Sequence, residues 1–208
     1  MDTKESLIAT IVDKEWEMFQ AVNNVGGRAS CQDNHTTFKI MRISQAKNWP
    51  EAMLESYIDD LERAESAGRN LLSEKYARMM RSTVPEEYAR IEHLLPPLEP
   101  ETPELIEQIA SIVMGWEEEL QKKYPYILGR GRPLFSKEDA PGITSLETYL
   151  RGELATYSAK TLKLYLEHLK KQQSENINGS AITMLETMKC YGFNSLEEAN
   201  EKLKARSS

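Results

Sequence analysis

The 208-residue sequence contains few of the residues that cross-link small proteins or bind metals, with only two cysteines and three histidines. Cys31 and Cys190 lie far apart and form no CxxC pair, so we expect reduced thiols in a cytoplasm rather than a disulfide framework. No segment is long and apolar enough to cross a bilayer, and the first residues lack the pattern of a signal peptide. These absences predict a cytoplasmic protein that does not enter a membrane.

Basic charge is also scarce, because 26 lysines and arginines stand against 33 acidic residues and give a formal net charge of -7. Nucleic-acid binding normally needs a basic face, so nucleic acid is an unlikely partner. The chain contains no GxSxG and no P-loop lysine pattern, and GGRAS at 26–30 is too short for a dinucleotide fingerprint. The sequence therefore identifies no cofactor and no class of enzyme.

Apolar residues recur at three- and four-residue spacing through most of the chain, which predicts helices. We find no strand-like alternation of apolar and polar residues, so the expected fold is an all-α helical bundle. Three buried stripes carry the prediction: Ile8, Ile11, Val12, Trp16 and Phe19; Met53, Leu54, Tyr57, Ile58 and Leu61; Leu105, Ile109, Ile112, Val113, Trp116 and Leu120.

Two helix starts are predicted from capping residues. Thr102 precedes Pro103, which suits the first turn of a helix, so we expect Thr102 to be an N-cap. Thr144 is followed three residues later by Glu147, which predicts a capping box.

A proline-rich stretch divides the chain into two parts. The prolines cannot continue a helix and restrict the residues before them, so residues 96–103 are predicted to be an extended connector. Residues 1–95 then form an N-terminal helical half and residues 104–208 a C-terminal helical half, packed as one globular unit.

The two halves repeat the same order of features. IATIV at 8–12 matches IASIV at 109–113, and WPEAMLESYIDDL at 49–61 lies over YSAKTLKLYLEHL at 157–169. Amphipathic helices can resemble one another through their period alone, but the ordered series favours an internal duplication with a pseudo-twofold axis. Matching Trp-Glu and Gly-Arg pairs occur in both halves: Trp16-Glu17 and Trp116-Glu117, Gly27-Arg28 and Gly131-Arg132.

Four stretches also resemble a bacterial family known only as domain of unknown function 4125. They are EWEMFQAVNNVGGRASCQD, GRNLLSEKYARMM, GRGRP and SLETYLRGELATYS, and the resemblance covers nearly the whole chain. It implies no reaction, cofactor or catalytic residue.

The Gly-Arg loops are candidate anion sites. Glycine lets the backbone approach a ligand closely, and an arginine can bind a carboxylate or phosphate through two parallel hydrogen bonds. Arg28 in the first half, and Arg130 and Arg132 in the second, are the candidates. The alternative is that the glycines end helices and the arginines form surface ion pairs, which contribute little to stability.

Cys31, Asp33 and His35 are weak candidates for a metal site. Their residue types suit zinc, but their spacing is not a standard zinc pattern and no second Cys/His pair supports it. The alternative is a turn in which Asp33 or Asn34 caps a helix that begins near His35.

Further candidates lie on the predicted helices. Trp16, Glu17, Trp116 and Glu117 could present aromatic rings and carboxylates to a cleft between the halves, where helical bundles commonly bind ligands. Arg151 is a secondary candidate. It and Glu153 are two residues apart and do not share a helix face, so one of them is expected to point inward and to need a partner.

Three functional hypotheses follow. The first is a binding or regulatory module that recognises a small anionic ligand or a protein partner through the Gly-Arg loops. The second is an enzyme with Glu17 or Glu117 as acid/base and Arg28 or Arg132 holding an anion. The third is a metal-binding protein that uses the Cys-Asp-His loop.

Overall fold

The computed structural model describes residues 3–23, 27–129 and 131–206. Within these ranges the chain forms helices and no strand, apart from one isolated bridge between Ala140 and Ile143. The prediction of an all-α fold is confirmed. No helix of the described ranges has the length and apolar composition needed to span a bilayer.

The helices are numbered in chain order. Before the connector lie α1 (Lys4–Gln20), α2 (His35–Lys47), α3 (Glu51–Ser66), α4 (Leu71–Thr83) and α5 (Pro85–Ile91). After it lie α6 (Thr102–Lys123), α7 (Pro125–Leu128), α8 (Leu146–Leu154), α9 (Ala159–Ser174), α10 (Gly179–Cys190) and α11 (Leu196–Ala205). Short 3-10 turns occupy Ser30–Asp33, Glu92–Leu94 and Ser136–Glu138.

Two predicted caps are wrong by one residue. Thr102 is the first residue of α6 rather than its cap. The Thr102 N–H donates to the Glu99 carbonyl in a turn, so the helix starts one residue earlier than predicted. Ser145, not Thr144, caps α8 by accepting a hydrogen bond from the Thr148 N–H at 3.1 Å. The Glu147 carboxylate accepts instead from the Ser136 N–H and does not close a capping box.

One hydrophobic core contains side chains from both sides of the connector. Ile11, Leu54, Ile109 and Leu162 are at most 1% exposed and belong to the same cluster. Helix α3 packs against α9 at the centre of this cluster. Trp49, also in the cluster, meets Tyr57 and Tyr157 edge to face, so aromatic rings fill the space where α3 and α9 begin.

Helix contacts repeat on the two sides of the connector. Helix α1 packs against α2, α3 and α4, and α6 packs against α8, α9 and α10. Helix α2 also contacts α10, and α8 contacts α4, so each of these two helices bridges to the other side.

Two asparagines repeat at the helix starts. The Asn70 amide caps α4 and donates to the Met18 carbonyl at 2.7 Å. The Asn178 amide caps α10 and donates to the Trp116 carbonyl at 3.3 Å. Each asparagine thus ties the start of one helix to the backbone of a second helix, α1 in the first case and α6 in the second.

Helices α4 and α8 approach each other closely at Gly152. A Cβ atom at this position would lie 2.8 Å from the Met79 Cγ and 3.1 Å from the Lys75 carbonyl oxygen. The absence of a side chain therefore lets α8 come close enough for its next residue, Glu153, to reach Lys75.

We expect Gly152→Ala to lower the free energy of unfolding by about 1–3 kcal/mol, because the added methyl group overpacks the contact between α4 and α8. Urea denaturation followed by circular dichroism measures the change. The matched control is Gly115→Ala in α6, where nothing lies within 4 Å of the added Cβ. That control is expected to stabilise the protein by about 0.5–1 kcal/mol. Equal stabilities of the two variants would contradict the close approach of α4 and α8.

Candidate functional site

A cavity of about 520 Å³ opens between α1, α2, α4 and α8. Its volume falls within the range of small-molecule binding sites. The rim contains exposed residues, among them Cys31, Asn34 and Arg132, whereas the floor is made by buried side chains. The cavity therefore runs from solvent to the protein interior.

A chain of four buried charges forms the floor. The Arg42 guanidinium contacts both carboxylate oxygens of Glu15, with its Nε 2.5 Å from Oε2, and its Nη1 donates to the Glu153 Oε1 at 3.0 Å. The Lys75 Nζ donates to the other Glu153 oxygen at 2.6 Å. The charges alternate along α1, α2, α8 and α4, and two acids balance two bases.

Neutral polar groups complete the hydrogen bonds of this chain. The Tyr57 hydroxyl donates to Glu15 at 2.7 Å, and the Tyr157 hydroxyl donates to Glu153 at 2.8 Å. Gln45 accepts from Arg42 at 2.8 Å and donates to Glu153 at 3.2 Å. Burial raises the pKa of both tyrosines well above the ordinary value, so the hydroxyls remain protonated donors.

The opposite charges in the network favour the ionised forms of Glu153 and Arg42 despite their burial. Burial by itself would raise the pKa of Glu153, but the charges of Arg42 and Lys75 hold it well below the ordinary value. Burial would likewise lower the pKa of Arg42, yet the Glu15 and Glu153 carboxylates raise it. The floor therefore pairs two acidic with two basic side chains, whose formal charges sum to zero.

Aromatic rings and one further cation line the cavity above this floor. The Lys75 ammonium lies 3.5 Å from the Tyr149 ring centroid, and the Arg132 guanidinium lies 5.0 Å from it. Arg132 donates to the Thr144 carbonyl at 3.2 Å, and no carboxylate of the described ranges pairs with it. The hydroxyls of Tyr76 and Tyr149 also line the cavity and bond to no described residue. These groups remain available to a ligand.

The opening Gly-Arg loop is held together by its own side chains. The Arg28 Nε donates to the Asp33 Oδ1 at 2.7 Å, and its Nη2 donates to the Gln32 carbonyl at 2.9 Å. Asn34 caps α2 by accepting from the Thr37 N–H at 3.0 Å. Arg28 therefore fastens the turn before α2 and does not line the cavity.

The other two residues of the weak metal candidate are spread over this region. Cys31 is an exposed free thiol on the cavity rim, and the His35 ring lies 4.4 Å from the Trp16 ring. Among the residues that the structure describes, no three His, Cys, Asp or Glu side chains converge as metal ligands.

The Trp-Glu pairs occupy different environments. Trp16 is partly buried against Phe38, and Glu17 is exposed on α1. Trp116 is buried, and both it and Glu117 line a second cavity.

The remaining arginine candidates also differ in their surroundings. Arg132 lies at the rim of the first cavity, and Arg130 falls outside the described residues. Arg151 points away from the charged floor and pairs with Glu147 and Glu107. Of Arg151 and Glu153, it is Glu153 that points inward.

Arg42 and Lys75 were not among the sequence-based candidates, although a signal for them exists. Both occupy positions on the apolar stripe of their helix: Lys75 lies four residues from Leu71 and from Met79, which are buried. Glu15 likewise falls between Val12 and Phe19 on the buried face of α1. A charged residue on an apolar stripe must find a partner in the interior, and that is the pattern that would have identified this site.

We expect Glu153→Gln to lower the free energy of unfolding by about 3–5 kcal/mol at pH 7, because Arg42 and Lys75 lose a shared buried counter-charge. The folded-state pKa of Glu153 is lowered, so its stabilising effect is present above about 4.5, the ordinary glutamate value, and declines as the pH falls below it. The difference from wild type should therefore shrink below that pH. Urea denaturation between pH 7 and pH 3 measures both effects.

The control for this change is Glu118→Gln, which removes a partly exposed carboxylate 3.8 Å from Lys122. It should change the stability by less than about 1 kcal/mol at every pH. A Glu153→Gln variant as stable as this control would rule out the buried network.

The fold and the site define an all-α protein with a ligand-sized cavity above a neutralised ionic floor. The chain belongs to the family described as protein of unknown function (DUF4125), whose family model matches residues 5–201. The resemblance inferred from the sequence motifs is thereby confirmed. No curated protein and no solved structure shows a significant match to the chain.

Proposed function

We propose that the protein binds a small organic anion with an aromatic or apolar body in the cavity between α1, α2, α4 and α8. The observation that carries this proposal is the guanidinium of Arg132, which pairs with no carboxylate of the described residues and lies at the rim of a cavity whose floor has no net formal charge. Because the four buried charges cancel, the charge of Arg132 sets the sign of ligand that the cavity favours.

The walls of the cavity support an aromatic or apolar ligand body. Phe19, Phe38 and Tyr149 contribute ring surface to the lining, and the free hydroxyls of Tyr76 and Tyr149 can donate hydrogen bonds. Ligand sites commonly combine such apolar walls with a few polar groups that fix the orientation. A carboxylate or phosphate near Arg132, with a ring between the aromatic side chains, would use all of these groups.

The contacts favour binding over the catalytic arrangement considered from the sequence. Glu17 is exposed outside the cavity, and Glu117 lines the second cavity. Arg28 is engaged by Asp33. The proposed acid/base and anion-holding residues therefore do not meet in the first cavity, and the binding or regulatory hypothesis has the better support.

We further propose that residues 1–95 and 104–208 arose by duplication and are related by a pseudo-twofold axis, with residues 96–103 as the connector. The repeated helix contacts and the matching roles of Asn70 and Asn178 support this origin. A bacterial cytoplasm is the proposed location, since both cysteines are exposed free thiols, which suits a reducing compartment.

Two fluorescent probes of similar shape test the binding proposal. The aromatic anion 1-anilinonaphthalene-8-sulfonate should bind the native protein saturably with one site, and its neutral analogue N-phenyl-1-naphthylamine should bind more weakly. Arg132→Gln should weaken binding of the anion by about tenfold or more, because a charge-assisted contact contributes about 1.5–3 kcal/mol. Binding of the neutral probe should not change in that variant.

The control for this test is Arg206→Gln. Arg206 is exposed after the end of α11, and its substitution removes the same net charge at a position distant in sequence from the residues that line the cavity. It should leave both affinities at the wild-type level. The proposal fails if the anion shows no saturable binding, or if Arg132→Gln and Arg206→Gln bind it equally well.

A further inference from the structure

A second cavity, of about 280 Å³, lies between α2, α6, α8, α9 and α10. It shares Met41, Tyr149 and Glu153 with the lining of the first cavity, so the two have a common wall. Helices α2 and α8 contribute to both cavities. This second cavity is separate in position from the site of the proposed anion.

The second cavity occupies the equivalent place on the other side of the connector. Residues with the same spacing along a helix line both cavities. In the first they are Leu71, Lys75 and Tyr76 on α4, and in the second they are Gly179, Thr183 and Met184 on α10. The position of the cation Lys75 is thus taken by a neutral threonine.

At one matched position on the walls formed by α1 and α6, it is the second cavity that has the charged residue and the first that has the neutral one. The Asn70–Met18 and Asn178–Trp116 hydrogen bonds make Met18, rather than the Trp16 matched from the sequence, the counterpart of Trp116 in its contacts. The residue after each of them lines its cavity, and it is Phe19 in the first and Glu117 in the second. Each cavity is thus lined by two acids, Glu15 and Glu153 in the first and Glu117 and Glu153 in the second, but no lysine or arginine of the described residues lines the second.

Glu117 is the one carboxylate of this lining that lacks a cationic partner among the described residues. The other acid, Glu153, is already neutralised by Arg42 and Lys75. Glu117 is partly buried on α6 and interacts with the Ser180 side chain, and burial raises its pKa. A cation that entered the cavity would pair with this carboxylate.

Aromatic rings surround the same space. Trp116, Tyr149 and Tyr165 line the cavity. The electron-rich faces of aromatic rings attract organic cations, and Trp116 and Tyr165 can act in this way, whereas the Tyr149 ring already contacts Lys75. The hydroxyls of Ser180, Thr183 and Thr187 on α10 supply hydrogen-bonding groups along one side.

We propose that this second cavity binds a small organic amine, with its ammonium group at the Glu117 carboxylate and its apolar body among Trp116, Tyr149 and Tyr165. The ligand has the opposite charge to the one that the first cavity favours. The inference does not depend on the proposed anion site, because its charged group is Glu117 rather than Arg132.

Isothermal titration calorimetry with the full chain tests the proposal, with 2-phenylethylamine as the probe and 2-phenylethanol as its neutral counterpart. The amine should bind with one site and at least tenfold more tightly than the alcohol. Glu117→Gln should remove this preference, and it should not impair folding, because it replaces a carboxylate that burial penalises. Glu118→Gln, at the next position along α6, is the matched control and should bind the amine as wild type does.

A second variant tests the location by shape rather than by charge. Thr183→Met adds apolar volume inside the cavity and should weaken binding of both probes, whereas Arg132→Gln in the first cavity should leave amine binding unchanged. The proposal is overturned if the amine shows no saturable binding, if it binds Glu117→Gln and Glu118→Gln equally, or if Thr183→Met binds it with wild-type affinity.

Discussion

The structure depends on one interaction above others, the alternating chain of buried charges from Glu15 through Arg42 and Glu153 to Lys75. Charged groups leave water at a high cost, and only close pairing with complete hydrogen bonding offsets it. The chain meets this condition by joining α1, α2, α8 and α4, helices that come from both sides of the connector. The packing of these helices and the pairing of the four side chains are therefore linked.

This network also determines what the neighbouring cavities can attract. Because its charges cancel, the sign of each cavity depends on one further residue: Arg132 at the rim of the first and Glu117 in the wall of the second. Glu153 lies in the wall between the two cavities and is held by partners on the side of the first. The two cavities thus share α2, α8 and this network, and the further charged residues that line them, Arg132 and Glu117, are of opposite sign.

The helices themselves could be predicted because their signals are local. Apolar spacing and capping residues act over three or four positions, and Asn178 and Ser195 cap helices where such signals occur. The errors at Thr102 and Thr144 are also local. The turn at Glu99 makes Thr102 the first residue of α6, and the Ser136 N–H takes the Glu147 carboxylate that the predicted capping box needed. Element boundaries are sensitive to single hydrogen bonds in this way.

The site could be predicted only in part from the sequence. That Arg151 and Glu153 lie on different helix faces follows from helix geometry, but which of them points inward depends on Glu107 and Glu147, which pair with the arginine outside. Arg28 matched the chemistry of an anion site, yet nearby Asp33 and Gln32 already occupy its donors. Residue type indicates what a side chain can bind, whereas its neighbours in space decide whether it is still free to do so.

The amino-acid sequence alone determined the all-α class, the faces that the helices bury and the family, because periodicity and motifs are properties of neighbouring positions. The tertiary structure decided which charges meet. Arg42 reaches Glu153 across 111 positions of chain, through α2 and α8, which each contact helices from the other side of the connector. Contacts of that kind depend on how helices pack, and packing is set by the whole core rather than by any one segment.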